Sequence, residues 1–218
     1  MTEAAKNGTV STSALRRQRE REQRYQTILS VAENLFSTEG YHATSMDRIA
    51  QAAEVSVGTL YFYFKNKEDL LVQLLSDIGF RIRELVGSEF IRSDATLVGF
   101  EQAGLSFFTQ FCVKHPEKIT IFFRESVGQG QAVEAMRKKI FKKFTADIVG
   151  ALERLSKKLG VTFRSGLSTE VMAVSIVGMY EKVAYQYLIW NDRSDELQRV
   201  AEDALAFIVG GIKNLCKE

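Results

Sequence analysis

The chain has 218 residues, of which 45% are hydrophobic and 26% are charged, and its formal net charge is +2. This is the composition of an ordinary soluble globular protein, and no apolar run is long enough for a signal core or a membrane span, so we predict a cytoplasmic protein without a membrane partner. The cysteines and histidines match no metal or redox spacing, so we predict no metal and no cofactor. Few turn clusters interrupt the sequence, which favours an all-α fold.

A polar lead precedes the first predicted helix. Residues 1–15 are small and polar, and we predict that they are disordered. A helix can begin at Arg16, and apolar side chains recur at helical spacing from Ile28 until Gly40 ends the helix. Residues 16–24, at the start of this helix, hold five arginines and two glutamates.

Two short helices joined by a tight turn are predicted next. Thr44, with Asp47 three residues later, has the spacing of a helix N-cap and predicts a helix over residues 45–53. A turn around Val55 leads to a second short helix over residues 57–64. These are the dimensions of a helix-turn-helix motif, in which the second helix enters the major groove of DNA.

The second short helix carries more large side chains than one face can bury. Val57, Leu60 and Phe64 share a stripe that can pack against the preceding helix. The remaining side chains are predicted to face a duplex, because hydroxyls can bond to phosphates or base edges, a glycine permits close approach, and an aromatic ring can contact a thymine methyl group. This outward set comprises Ser56, Gly58, Thr59, Phe62 and Tyr63, with Tyr61 on its border.

Lys67 marks the start of a longer predicted helix. A lysine beside the free N–H groups of a helix start can clamp a phosphate, although a solvated surface lysine has the same sequence pattern. We predict a DNA-binding domain over residues 16–66, a connecting helix over residues 67–86, and a larger helical body for effector binding and dimerisation over residues 87–218. Within the body, helical patterns cover residues 96–114, 116–127, 131–159, 168–190 and 195–216.

Residues 45–70 read SMDRIAQAAEVSVGTLYFYFKNKEDL, and this segment resembles the DNA-binding head of TetR-type bacterial transcriptional regulators. The preceding residues 28–45 resemble that family's first helix and the loop after it. The resemblance implies a homodimer on a palindromic double-stranded operator, repression rather than activation, and release by a small, mainly hydrophobic effector. It also implies phosphate contacts from Thr44 or Ser45, groove contacts from Val57, Gly58, Thr59, Tyr61 and Phe62, and backbone contacts from Tyr63 and Lys67.

Two positions depart from the family's usual residues. Asp47 stands where relatives often have a basic residue, and Val57 stands where they often have lysine or another polar residue, so base contacts at both are expected to be weak. Residues 16–24 could compensate by reaching the DNA backbone or minor groove. A solvated helix of mixed charge, with Glu20 and Glu22 as local partners, explains the same segment equally well.

The last two predicted helices are candidates for the dimer contact. The family resemblance implies a four-helix bundle between two subunits, whereas packing within one subunit would produce the same pattern. One stripe comprises Val171, Val174, Ser175, Gly178 and Met179, and the other comprises Leu197, Val200, Ala201, Ala204, Leu205, Ile208, Val209, Ile212 and Leu215.

The middle helices are rich in large apolar side chains that can form a core or the wall of a ligand pocket. Arg124 follows an apolar run, and a charge there requires either an ion pair, with Glu125 as its neighbour in sequence, or a ligand. The residues predicted to bind ligand are Phe108, Phe111, Phe123, Arg124, Met179 and Tyr180. We expect the ligand to change the spacing of the two DNA-binding heads through the 67–86 helix.

Two other classes of protein fit parts of this pattern. A constitutive or architectural all-α DNA-binding protein would have the same head and no ligand. An α-helical lipid carrier or enzyme would use residues 45–67 only as a helical hairpin. The sequence holds no Ser-His-Asp set, Cys-His pair, paired carboxylates or phosphate loop, so we predict that the protein is not an enzyme.

Overall fold

The computed structural model describes residues 12–93 and 96–217, which form an almost entirely helical chain. In these residues, helices α1 to α9 span Thr12–Thr38, Met46–Ala52, Val57–Tyr63, Lys67–Arg92, Leu97–Ser106, Pro116–Thr120, Gln131–Leu159, Ser168–Ala184 and Leu197–Leu215. Three π-helical turns extend α5, α6 and α8 over Phe107–Cys112, Ile121–Glu125 and Tyr185–Trp190, and a 3-10 turn at Ser194–Glu196 precedes α9. The predicted all-α fold, with a helix-turn-helix head and a larger helical body, is confirmed.

A two-stranded antiparallel pairing closes the far end of the body. Thr162–Phe163, after α7, pairs with Cys216–Lys217, after α9, so that Thr162 lies opposite Lys217 and Phe163 opposite Cys216. None of the helices in residues 12–93 and 96–217 has the uninterrupted apolar length that a membrane crossing requires. Over the same residues, no three His, Cys, Asp or Glu side chains converge in a way that could hold a metal ion.

Helices α1 to α3 form a head whose apolar core continues into α4. Phe36 of α1, Ile49 of α2 and Leu60 of α3 are fully buried together with Phe64, which follows α3. The ring of Tyr25 stacks on Phe64 with 5.2 Å between ring centroids. Because this core is shared with α4, the head and the connecting helix are packed as one apolar unit.

Helix α1 begins earlier than the sequence suggested. It starts at Thr12 rather than Arg16, so the predicted disorder is wrong for residues 12–15, and the rest of the predicted lead lies outside the described residues. The good helix formers Ala14, Leu15 and Arg16 follow Thr12 and Ser13 in this start, and Arg16 forms an ion pair with Glu20 one turn later, at 2.8 Å.

The cap of α2 is Ser45 and not Thr44. The Ser45 side chain accepts a hydrogen bond from the Arg48 N–H, whereas the Thr44 side chain is buried and its hydroxyl donates to the Gly40 carbonyl at 2.9 Å. Gly40 has a φ of +89°, and its turn brings its carbonyl within reach of the Thr44 hydroxyl. Ser45 therefore caps the helix, and the adjacent Thr44 stabilises the loop.

Helix α4 is longer than predicted and ends at Arg92 instead of residue 86. Phe90, in the added turns, is buried and meets the edge of Phe100 on α5, with 6.1 Å between ring centroids. This contact stabilises helix across Gly87, beyond the predicted end of the connecting helix at residue 86. The connecting helix thus extends deep into the body.

The body packs α4, α5, α7, α8 and α9 around a second apolar cluster. The inward face of α9 belongs to this cluster or to the main core, and its buried side chains are Leu197, Ala201, Leu205, Ile208 and Ile212. Cys112 is buried, and its burial raises the pKa of its thiol. Cys216 is only partly buried, and partial burial also raises its thiol pKa.

Candidate nucleic-acid interface and ligand cavity

One face of α3 is open to solvent. Tyr61 is 51% exposed and Phe62 is 66% exposed, while Leu60 and Phe64 are buried, so the run of large side chains divides as the sequence predicted. Val57 is also exposed, because it occupies the first turn of α3, beyond the residues that pack on α2. Its side chain therefore lies on the outward face and not in the inward stripe.

The hydroxyl groups of Ser56, just before α3, and Thr59, in its first turn, order each other. Ser56 caps the helix by accepting a hydrogen bond from the Thr59 N–H at 3.0 Å, and its Oγ lies 2.8 Å from Thr59 Oγ1. A pair of hydroxyls has two donor hydrogens, and this mutual bond uses one of them. The other remains able to bond to a phosphate or base edge, next to the exposed Gly58. Ser45 is exposed at the start of α2.

Tyr63 connects α3 to α1. Its hydroxyl lies 3.3 Å from the carbonyl oxygen of Arg21, and its ring centroid is 6.2 Å from that of Tyr25. The Arg21 guanidinium lies 5.1 Å from the centroid of the exposed Phe62 ring. The N-terminal part of α1 is therefore held against the side of α3 that carries the exposed aromatic residues.

Lys67, which the sequence predicted as a phosphate clamp, makes its hydrogen bonds to carbonyl groups within the head. Its ammonium group donates to the carbonyls of Tyr41 at 2.6 Å, Thr44 at 2.8 Å and His42 at 3.3 Å. Partial burial lowers the pKa of Lys67. Asn66 caps α4 by accepting from the Asp69 N–H at 2.7 Å, so α4 starts without help from the lysine. Of the two residues predicted as alternatives for a phosphate contact, Thr44 has a buried side chain, whereas Ser45 is exposed.

Replacing Lys67 with alanine is expected to lower the free energy of unfolding by about 1–3 kcal/mol, because partly buried carbonyls would lose a charged donor. Lys65→Ala is the matched control, since that side chain is exposed two residues away. Urea unfolding of both variants measures the difference. Equal stabilities for the two variants would show that the Lys67 bonds contribute nothing.

A cavity of about 420 Å³ lies in the body between α4, α5, α7 and α8. Its wall is mainly apolar, and the aromatic side chains in it include Phe90, Phe100, Phe107, Phe141 and Phe144. Its few charged groups include Arg83 and Asp147, which form a two-bond ion pair at 2.5 and 2.9 Å, as well as Arg154 and Glu181. Apolar walls with a few polar groups are typical of small-molecule sites.

Only two of the six residues predicted to bind ligand line this cavity, namely Phe123 and Tyr180. Phe108 is in the core against the Tyr180 ring, and Phe111 is buried with its ring nearly parallel to that of Phe107. Arg124 is exposed and pairs with Glu125 at 2.7 Å, which is the ion-pair alternative. Met179 packs against the second apolar cluster instead.

The wall residues that the sequence did not reveal come mainly from α4 and α7. Phe90, Phe141 and Phe144 follow the same helical periodicity as core residues, so no sequence signal distinguishes them. Burial raises the pKa of the Tyr180 hydroxyl in the wall. The neutral form of that phenol, which burial favours, can donate a hydrogen bond.

Charged side chains connect the head to the body. Glu125 accepts a hydrogen bond from the Tyr41 N–H at 2.8 Å, and Lys118 of α6 forms a nearly buried ion pair with Glu33 of α1. In the π-helical turn Ile121–Glu125, Phe123 lines the cavity while Glu125 holds the head. One short segment thus contacts both regions.

The two predicted dimer stripes have different environments. On α8, Val171, Val174 and Gly178 are exposed, whereas most of the α9 stripe is buried within the subunit, as the intramolecular alternative proposed. The α9 surface that faces solvent instead carries Phe207, which is 73% exposed, and the glycines 210 and 211. Periodicity located the apolar face of α9 correctly but could not show what covers it.

Comparison with known proteins agrees with this arrangement. The model of the family described as bacterial regulatory proteins, tetR family, matches residues 28–74, which cover most of the head and the start of α4. The chain is similar along its length to the fatty acid metabolism regulator protein of Bacillus subtilis (strain 168), with 25% identity over 194 residues, 88% of this chain and 96% of that protein.

Solved structures share the fold. A crystal structure of the transcriptional regulator FadR from Bacillus subtilis in complex with stearoyl-CoA has a TM-score of 0.74 at 23% identity and covers 86% of this chain and 98% of that chain. A SmeT–triclosan complex has a TM-score of 0.72 at 18% identity and covers 86% of this chain and 90% of that chain. Head and body are therefore arranged in the same way in proteins that hold different small molecules.

Proposed function

Because the chain belongs to the TetR family of bacterial transcriptional regulators, we propose that it is a repressor that binds a palindromic operator as a homodimer and leaves it when a small, mainly hydrophobic effector occupies the body cavity. The observation that carries this proposal is the exposed face of α3, joined through α4 to a separate apolar cavity. The known proteins that this chain resembles are transcriptional regulators and not enzymes.

The α3 surface supports major-groove binding. Tyr61 and Phe62 project outward beside the hydroxyl pair of Ser56 and Thr59, and Gly58 lets the backbone approach the duplex closely. Hydroxyls and aromatic rings can contact phosphates, base edges and thymine methyl groups. Ser45, exposed at the start of α2, is suited to bind an adjacent phosphate.

The exposed surfaces of α8 and α9 support a homodimer. Val171 and Val174 project from α8 and Phe207 projects from α9, and an apolar patch of this kind is typical of a contact surface. A methyl group added at Gly178 or Gly210 would meet no neighbouring element of the described residues within 4 Å, so these glycines leave room for a partner helix. Two heads related by a twofold axis would bind half-sites roughly 34–36 Å apart or at a multiple of that spacing.

The cavity supports an apolar effector. Its volume of about 420 Å³ is within the range of small-molecule sites, and aromatic rings form much of its wall. One protein of similar fold is in complex with stearoyl-CoA and another with triclosan, and a relative of similar length is named for fatty acid metabolism. An acyl chain is therefore the first class of effector to test.

Two structural routes connect the cavity with the head. Helix α4 lines the cavity near its C-terminal end and, in its first turn, holds the loop before α2 through Lys67. The π-helical turn Ile121–Glu125 lines the cavity with Phe123 and binds the Tyr41 N–H with Glu125. An effector that binds two head spacings unequally shifts their populations, and coupling of about 1–3 kcal/mol changes DNA affinity by roughly 5–150-fold.

The test begins with a duplex selected from a random library by the full-length protein. Fluorescence anisotropy then measures its binding with stearoyl-CoA, stearate or triclosan as the probe, and with butyryl-CoA as the short-chain control. At least one of the long-chain or aromatic probes is expected both to raise the melting temperature of the protein and to weaken its binding to DNA. If none of these probes changes the affinity of the protein for the duplex, the protein would instead bind DNA constitutively.

A further inference from the structure

The N-terminal turns of α1 extend the head past the helix-turn-helix motif. Residues 15–24 are exposed, and the first fully buried residue of α1 is Ile28. The extension is nevertheless fixed at its base, because Tyr25 stacks on Phe64 and the Tyr63 hydroxyl lies 3.3 Å from the Arg21 carbonyl. The extension is thus a helix held beside the exposed aromatic residues of α3.

One face of this extension is basic. Arg17, Arg21 and Arg24 follow helical spacing and therefore lie on the same side. Among the described residues, no carboxylate forms an ion pair with any of these three arginines. The two glutamates of the segment have other partners, since Glu20 pairs with Arg16 at 2.8 Å and Glu22 accepts from Gln26 at 2.9 Å.

Arg21 connects this basic face with the surface that faces the duplex. Its guanidinium lies 5.1 Å from the centroid of the Phe62 ring, and Phe62 is one of the outward aromatic residues of α3. A guanidinium over a ring keeps its N–H donors free at the rim. Arg17 is one turn farther out, about 6 Å along the helix axis.

We propose that Arg17 and Arg21 bind backbone phosphates of the duplex beside each half-site, so that the operator contact extends outward beyond the groove occupied by α3. This inference rests on the proposed function, because it requires α3 to bind duplex DNA. The guanidinium fork matches phosphate oxygens, and each contact releases a condensed counterion. Phosphate contacts position the protein without reading bases, so these arginines add affinity and not sequence preference.

The experiment compares Arg17→Ala/Arg21→Ala with the wild type on two duplexes. One duplex ends at the selected half-sites and the other carries ten extra base pairs on each side. The double variant loses four phosphate contacts per dimer, so its log–log salt dependence on the long duplex is expected to be shallower by roughly 3.6. The wild type is expected to bind the long duplex more tightly than the short one, and the double variant to bind both alike.

Arg19→Ala is the matched control, since it removes one positive charge from the opposite face of the same helix. Its salt dependence is expected to equal that of the wild type, and the selected sequence should be the same for all three proteins. If the wild type shows a steep dependence of DNA affinity on salt and the double variant shows the same dependence, this inference alone would be overturned. The extension would then be a solvated helix of mixed charge without a DNA contact. A wild type that shows no salt-dependent duplex binding would overturn the proposed function as well.

Discussion

Replacing Lys118 with alanine is expected to lower the free energy of unfolding by about 3–5 kcal/mol, because it would leave the Glu33 carboxylate nearly buried and unpaired. The side chains of Lys118 and Glu33 are only 11% and 15% exposed, and they join α6 of the body to α1 of the head. An ion pair at an open surface typically contributes less than about 1 kcal/mol. Low exposure is therefore the reason for the large expected effect.

Urea unfolding of the full-length chain measures this change. The control is the double variant Glu33→Leu/Lys118→Met, which replaces both charges with apolar groups of similar length and is expected to recover most of the lost stability. A loss of less than about 1 kcal/mol in Lys118→Ala would show that water screens the pair, as at an exposed site. In that case the two charges would not be a main attachment between head and body.

Replacing Gly87 with leucine is expected to abolish the response to effector while leaving DNA binding intact. Gly87 lines the cavity from α4, and a Cβ placed on it meets no neighbouring element within 4 Å, so a larger side chain has open space at its base and would occupy part of the cavity. Removing glycine from the interior of α4 also raises the stability of the helix by up to about 1 kcal/mol. Effector-induced weakening of DNA binding should fall from roughly 5–150-fold to none.

Ser88→Leu is the control for this change, because it adds the same side chain at the next position of α4, which is exposed. That variant is expected to respond to the effector like the wild type. Anisotropy titrations of one duplex, with and without the active probe, compare the two variants. A Gly87→Leu protein that still releases DNA at the wild-type effector concentration would place the effector outside this cavity.

The helices could be predicted because their apolar faces are periodic, but two of their ends depend on tertiary contacts. Helix α4 continues to Arg92 because Phe90 is buried against α5, and no local residue pattern predicts that contact. The caps show the same limit, because Thr44 and Ser45 have similar capping ability. The loop after Gly40 uses the Thr44 hydroxyl and leaves Ser45 to cap α2.

The outward face of α3 was predicted largely correctly, whereas four of the six residues predicted to bind ligand do not line the cavity. An amphipathic helix in a head of three helices has one buried side, which the spacing of Leu60 and Phe64 locates. The cavity is harder to place, because the π-helical turn Phe107–Cys112 interrupts the regular phase in which side chains alternate. Phe107, Phe108 and Phe111 all belong to the core, and of the three only Phe107 also lines the cavity.

Lys67 shows why the role of a charged residue is difficult to predict from sequence. A lysine at a helix start can bind a phosphate, but here the chain folds three carbonyls of the preceding loop around its ammonium group. Those carbonyls come from residues more than twenty positions earlier, and only the tertiary structure brings them together. The side chain supports the DNA-binding head from within.

Sequence preference in duplex binding tests the central claim, that the exposed face of α3 reads DNA, most directly. Anisotropy titrations would compare the library-selected duplex with a scrambled one, using the wild type and the Tyr61→Ala/Phe62→Ala variant, whose replaced side chains are exposed. The wild type should bind the selected, twofold-symmetric duplex about a thousandfold more tightly. For the variant, the ratio of the affinities for the selected and scrambled duplexes should be at least about tenfold smaller, although both duplexes should still bind. A wild type that binds the two duplexes equally, or a variant with undiminished preference, would contradict the account.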